Sequence, residues 1–301
     1  MLFAVFMLAH VAGLGICANV RGQACDLIEP GATLHKVASG FNFTEGPTRD
    51  LAGNILFTDQ PSNRIVKFSL NGDISTFLYP AGRANGMCFD AQGNLIACAE
   101  EKNELWSIAP DGKVTVIVSE YAGRPFNGPN DVWVAPNGAL YFTDPFYRRA
   151  WGRHEHAPQS GEHVYYVSPD RKRVIRVASD LQKPNGITGT PDGKKLFVAD
   201  IAAGRTWAFD IQPDGSLTNK TLFCELGSDG MTIDEEGNLY LTGRGVTIFD
   251  KTGRKIGHIE VPEPWTANVS FGGPEHRTLF ITASKSLYSI RLRVRGANPA
   301  K

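Results

Sequence analysis

Six residues with side-chain oxygens recur at one phase of a repeat: Glu45, Asn85, Asn130, Asn185, Asp229 and Asn268. Each of the first five stands eight positions before a turn glycine (Gly53, Gly93, Gly138, Gly193 and Gly237), and successive leaders lie 40, 45, 55, 44 and 39 residues apart. Asn268 leads a looser sixth copy, in which Gly272-Gly273-Pro274-Glu275 makes the turn. Two carboxylates and four amide carbonyls, with no cysteine or histidine among them, form a hard-oxygen donor set. Such a set suits Ca²⁺, Mg²⁺ or Mn²⁺ better than a soft metal. One Asn-Gly or Asp-Gly pair is ordinarily a turn former and nothing more. The constant phase, with acids at Glu45 and Asp229, is what points to a site.

The elements that must position these residues are short. The stretch Phe126–Asp144, FNGPNDVWVAPNGALYFTD, is written once per repeat: a polar leader, an apolar run, a turn with glycine, a second apolar run. That is a β-hairpin pattern. A period near 40–45 residues with several short strands per unit is the mark of a propeller blade, and no long stretch of helical periodicity competes with it. The fold expected is therefore all-β: a six-bladed β-propeller of four-stranded antiparallel blades around a central channel. Six-fold geometry then carries all six leaders to one depth of that channel. Leu34–Ser39 is a short alternating strand ahead of the first repeat, and the sixth repeat stops at Leu287–Leu292, so this N-terminal strand would complete the last blade. Residues 293–301 read as a frayed tail.

The third repeat departs from the others. Between Asp144 and His163 it inserts PFYRRAWGRHEHAPQSGE, with no strand pattern, and so long an irregular loop in a compact domain is usually functional or disordered. It is expected to lie over one face and wall a pocket. Its His154 and His156 read mainly as solvated loop residues. Asp59, Asp144 and Asp200 share one place at the end of the second strand, which suggests architectural hydrogen-bond acceptors. Arg171-Lys172-Arg173 reads as a solvated turn.

Thirty-one basic and thirty-one acidic residues leave no net charge, and nothing suggests a nucleic-acid or anionic-membrane partner. Residues 1–24 read as a cleaved export signal: Leu2–Ile16 is apolar apart from His10, and Gly22-Gln23-Ala24 offers small residues before Cys25. An uncleaved anchor is the alternative, but about 15 apolar residues fall short of the ~20 that span a bilayer. The expectation is a periplasmic or secreted single domain over 25–301. Cys88 and Cys98 lie on two arms of one hairpin, where a disulfide is conceivable and free buried thiols are the preferred reading. There is no G-x-S-x-G, H-E-x-x-H, phosphate loop or Cys/His zinc spacing.

Glu45-Gly46-Pro47, Asn127-Gly128-Pro129-Asn130-Asp131, Tyr141-Phe142-Thr143-Asp144-Pro145, Lys183-Pro184-Asn185-Gly186-Ile187, Ser228-Asp229-Gly230-Met231 and Phe271-Gly272-Gly273-Pro274 together resemble the senescence-marker-protein/gluconolactonase/luciferin-regenerating-enzyme family over roughly residues 34–292. The resemblance implies a metal-dependent hydrolase of lactones. It implies one divalent ion at the channel mouth, usually Ca²⁺, with Mg²⁺, Mn²⁺ or Zn²⁺ as alternatives. Carried over, Glu45, Asn130, Asn185 and Asp229 match metal-binding or metal-proximal positions, and Asp229 also matches the acid/base residue. Animal sugar-lactone members carry a substrate-contacting arginine where this chain has Gly128. Substrate contact is therefore expected from Asn127, Asn130, Tyr147 and the third-repeat loop. Two other readings stay open: a non-catalytic binding propeller with a structural metal, and phosphotriester hydrolysis by the same polarising ion.

Overall fold

The computed structural model describes residues 26–152 and 154–297; the expected export signal falls outside them. Each repeat folds into one four-stranded antiparallel sheet, and six such sheets make the propeller. The innermost strands are Thr44–Arg49, Ala84–Phe89, Val132–Val134, Pro184–Gly189, Met231–Ile233 and Thr266–Gly272. Each lies beside the next, and the last lies beside the first, so the ring is closed.

Burial follows from this stacking. The second strands, such as Ile55–Asp59, Leu95–Ala99 and Leu140–Asp144, are covered on both faces by neighbouring blades, and every residue in them is buried. Continuous apolar runs suit such strands better than alternation does. Ile96, Cys98, Phe126, Val132, Phe142 and Tyr165 form one of the cores between blades, here between blades two and three. The outermost strands Ile74–Leu78 and Val114–Val118 are largely exposed.

Closure occurs as the sequence suggests. His35–Ser39 pairs with Ser286–Arg291 as the fourth strand of blade six, matching His35 to Ser289 and Ser39 to Ser286. The N-terminus thereby covers the sheet edge that the C-terminus would leave open. The tail is a correction. Arg293 N–H donates to Leu27 (2.8 Å), Gly296 N–H to His276 (2.9 Å) and Ala297 N–H to Ile233 (3.0 Å), and Val294 is buried. Residues 293–297 are thus docked, because their backbone donors and one apolar side chain find partners. Cys88, Cys98 and Cys224 are free thiols, and burial pushes the Cys88 and Cys224 thiols up to about 11.

Candidate active site

The pair "leader then glycine" has a packing cause. Inner strands crowd round the axis, and the residue after each leader faces the neighbouring blade. A Cβ on Gly46 would lie 2.1 Å from the Asn85 carbonyl oxygen, and one on Gly86 would lie 2.2 Å from Asp131 Oδ1. The glycines let the strands close, and the closing brings the leaders together. Register shifts between Glu45 and Thr48, Ala84 and Met87, Pro184 and Ile187, and Thr266 and Asn268 occur at four of the six leaders. Bulges of this kind re-aim side chains off the regular ladder.

Glu45, Asn85, Asn130, Asn185 and Asn268 are all buried, each no more than 6% exposed. Asp229 Oδ1 accepts from Asn185 Nδ2 at 2.8 Å, and its Oδ2 accepts from Trp265 Nε1 at 2.6 Å. Asn185 Nδ2 also donates to the Tyr147 hydroxyl at 2.9 Å. No donor among the described residues reaches Asn185 Oδ1, whereas its backbone carbonyl accepts from Thr143 Oγ1 at 2.7 Å. Glu45 Oε2 accepts from Gly46 N–H at 3.0 Å, and Asn268 Oδ1 accepts from Val269 N–H at 2.8 Å. Asn130 accepts from Gly86 N–H through its carbonyl (2.7 Å), which ties blade three to blade two.

Sequence reasoning missed one acid. Asp131 stands where Gly46, Gly86, Gly186 and Gly230 stand in other blades, directly after the leader. It is buried, and its carboxylate accepts from Val132 N–H (3.0 Å) and Ile187 N–H (3.4 Å). An aspartate at a glycine position of an otherwise regular repeat was the available signal.

The electrostatics are one-sided. Burial, then the charges of Asp229 and Asp131, hold Glu45 well above the ordinary carboxylate range. Burial raises Asp131 to about 7 and Asp229 to about 6, the latter against the pull of Trp265, Asn185 and Arg149. No lysine or arginine forms an ion pair with any of these three acids among the described residues. Two buried carboxylates, Glu45 and Asp131, and the half-buried Asp229 form no ion pair among the described residues and lie beside an Asn185 Oδ1 that no described donor reaches, a set that could hold a hard divalent cation. Among the described residues no group of three or more His, Cys, Asp or Glu is close enough to chelate a metal. The residues that could hold such an ion are those expected from the sequence, the carboxylates of Glu45 and Asp229 with amide oxygen from Asn185 and Asn130.

The third-blade loop walls this mouth. Its Tyr147 touches Asn185, its Phe146 carbonyl accepts from Lys183 Nζ (3.2 Å), and its Arg149 Nε donates to Glu100 Oε1 (2.8 Å). Asn127 ties the loop down: its Oδ1 accepts from Gln159 N–H (2.9 Å), while its Nδ2 donates to the carbonyls of Asp144 (3.0 Å) and Gly161 (2.9 Å). The side chain expected to touch substrate is thus occupied with loop backbone. His154 borders a small cavity with Arg149 and Trp151, and His156 is exposed. The repeated aspartates are architectural acceptors: Asp144 takes Asn127 N–H (2.9 Å) and Gly128 N–H (2.8 Å), and Asp200 takes Gln182 N–H (2.8 Å) and Lys183 N–H (2.9 Å).

A cavity of about 170 Å³ opens at the other end of the channel, lined from the inner strands by Thr48, Cys88, Trp133, Thr188, Thr232 and Phe271. Each stands three residues beyond a leader, on the order of 10 Å along a strand. None of these six is acidic, although Arg49, Asp90 and His276 also border the cavity.

Residues 43–285 match the family described as the SMP-30/Gluconolactonase/LRE-like region. A gluconolactonase of Zymomonas mobilis is 29% identical, with 90% of this chain and 84% of that protein covered. The solved structure of a Xanthomonas campestris gluconolactonase superimposes with a TM-score of 0.86 at 29% identity, covering 92% of this chain and 96% of that one. Agrobacterium tumefaciens regucalcin, a calcium-binding protein, shares the fold, with a TM-score of 0.73 at 20% identity over 90% of this chain and 96% of its own.

Proposed function

We propose, for a chain that belongs to the SMP-30/Gluconolactonase/LRE-like family, that it is a lactonase acting at the leaders' end of the channel with one divalent cation, Ca²⁺ foremost. The observation that carries this reading is the buried Glu45 and the half-buried Asp229, neither in an ion pair among the described residues, with Asn185 Oδ1 free of described donors beside them. Gluconolactonase relatives of similar length support the reaction class. A cation bound by Glu45, Asn185, Asp229 and Asn130 would polarise a lactone carbonyl and favour its developing oxyanion.

The chain's own residues do the rest. Asp229, fixed by Asn185 Nδ2 and Trp265 Nε1, accepts a proton from the water that attacks the carbonyl carbon. When the ring C–O bond breaks, the leaving alkoxide takes that proton back, and the product is an open hydroxy acid. Tyr147, held by Asn185, closes one side of the mouth and limits the water that reaches it. Asn127 acts on substrate through the loop it anchors.

The test is turnover of glucono-δ-lactone, a plain γ-lactone, an aryl ester and paraoxon by EDTA-stripped protein with Ca²⁺, Mg²⁺, Mn²⁺ or Zn²⁺ restored. Metal-restored lactone turnover that falls by about 10²-fold or more in Asp229→Asn is expected. Paraoxon turnover exceeding lactone turnover would move the assignment to phosphotriesters. Tight Ca²⁺ binding with no turnover would leave a binding propeller.

A further inference from the structure

The third-blade loop brings a cation to the lip of an acidic channel, and little of that cation's hydrogen-bonding capacity is used. Arg149 spends Nε (2.8 Å) and Nη2 (3.4 Å) on the two oxygens of Glu100. No acceptor among the described residues takes Nη1, and the side chain is 28% exposed, against 7% for Glu100. The guanidinium is held as a rigid plate, its carbon 4.9 Å from the Tyr147 ring centroid and 5.7 Å from that of Trp151. Glu100 is itself fixed by a donor from Gln60 Nε2. Gly128 leaves the room this carboxylate needs, since a Cβ there would lie 3.2 Å from Glu100 Cγ.

The plate stands close to the reacting centre. Arg149 packs on Tyr147, the Tyr147 hydroxyl lies 2.9 Å from Asn185 Nδ2, and that nitrogen lies 2.8 Å from Asp229 Oδ1. A lactone with its carbonyl at the axis would project its ring substituents towards this lip. The lip is made of aromatic faces (Tyr147 and Trp151) and ionic edges (Arg149, Glu100 and Arg83). Aromatic faces take the C–H side of a sugar-like ring, and fixed guanidinium and carboxylate edges take its hydroxyls. A long acyl chain would find no aliphatic wall among these residues.

We propose that Arg149 is a substrate-positioning and specificity-determining residue whose free guanidinium edge binds the ring hydroxyls of the substrate. This rests on the lactonase reading for its reaction but not for its binding contact. The experiment therefore has two arms, applied to wild type, Arg149→Met and Arg149→Lys, with folding checked by circular dichroism. The first is the ratio of kcat/KM for glucono-δ-lactone to that for δ-valerolactone, which has no hydroxyls. The second is affinity for 1,5-anhydroglucitol, which keeps ring hydroxyls but has no carbonyl, followed by tryptophan fluorescence. The expected result is that Arg149→Met lowers both the ratio and the affinity by about tenfold or more, the size expected for hydrogen bonds from a charged donor, with Arg149→Lys between. Equal loss on both lactones with unchanged polyol affinity would make Arg149 a loop brace and overturn the proposal, as would no change in either arm. If neither lactone is turned over yet Arg149→Met still loses polyol affinity, the reaction assignment falls and the contact assigned to Arg149 stands.

Discussion

At the scale of single residues, the site depends on how Asp229 is held. Both its oxygens carry neutral donors, and Trp265, which stands at 36% exposure, supplies one of them at 2.6 Å. A hydrogen bond to a charged group is worth about 1.5–3 kcal/mol, or roughly ten- to a hundredfold in rate if it orients the reacting carboxylate. Trp265→Phe is accordingly expected to lower kcat/KM for a lactone by that factor while the melting temperature stays near wild type. Unchanged kcat/KM would remove Trp265 from the account. Glu45, Asn185 and Asp229 were legible in the sequence because their phase repeats. Trp265 was not, since it lies three residues before Asn268, on the approach to a blade that repeats loosely, and only folding brings it to Asp229. Asp131 was legible only as an exception, an acid at the position where four other blades keep glycine for close packing. Arg149 sits in a segment with no repeat to align, and nothing local pairs it with Glu100.

At the scale of elements, Asp59 and Asp200 do for blades one and four what Asp144 does for blade three. A buried carboxylate at the end of the second strand accepts the N–H groups of Asn127 and Gly128 and so sets the approach to Asn130. Burial raises Asp144 to about 7 against those same donors, so the two hydrogen bonds work against a desolvation cost. Asp144→Ala should orphan both donors and destabilise the fold by about 1–3 kcal/mol for each, read by chemical denaturation. A loss below about 0.5 kcal/mol would show that water or another group serves them equally well. The architectural role of Asp59, Asp144 and Asp200 could be inferred from their shared position. Asn127, also in a polar motif near the site, could not be separated from substrate contacts, because its partners Gln159 and Gly161 lie in the inserted loop.

At the scale of the whole molecule, ring closure makes the cluster. Blade number, the N-terminal closing strand and the channel were legible because hairpin spacing and turn glycines are local signals repeated six times. The docking of residues 293–297 was not, because it depends on partners as far away as Leu27 and Ile233. Closure also concentrates charge. Asp131 and Asp229 are raised to about 7 and about 6 from 3.8. The folded chain without a cation therefore holds protons that the unfolded chain has released between about pH 4 and 7, and the cluster's contribution to stability falls as pH rises through that window. A divalent cation would take the place of those protons. The most direct measurement follows Ca²⁺ binding and lactone turnover together, in one EDTA-stripped sample at pH 8, as Ca²⁺ is added to wild type and to Glu45→Gln. The account predicts that turnover rises in step with bound Ca²⁺ and saturates at one equivalent in wild type, while Glu45→Gln loses affinity and turnover in parallel. Full turnover in the stripped protein, or Ca²⁺ binding unaffected by Glu45→Gln, would contradict it.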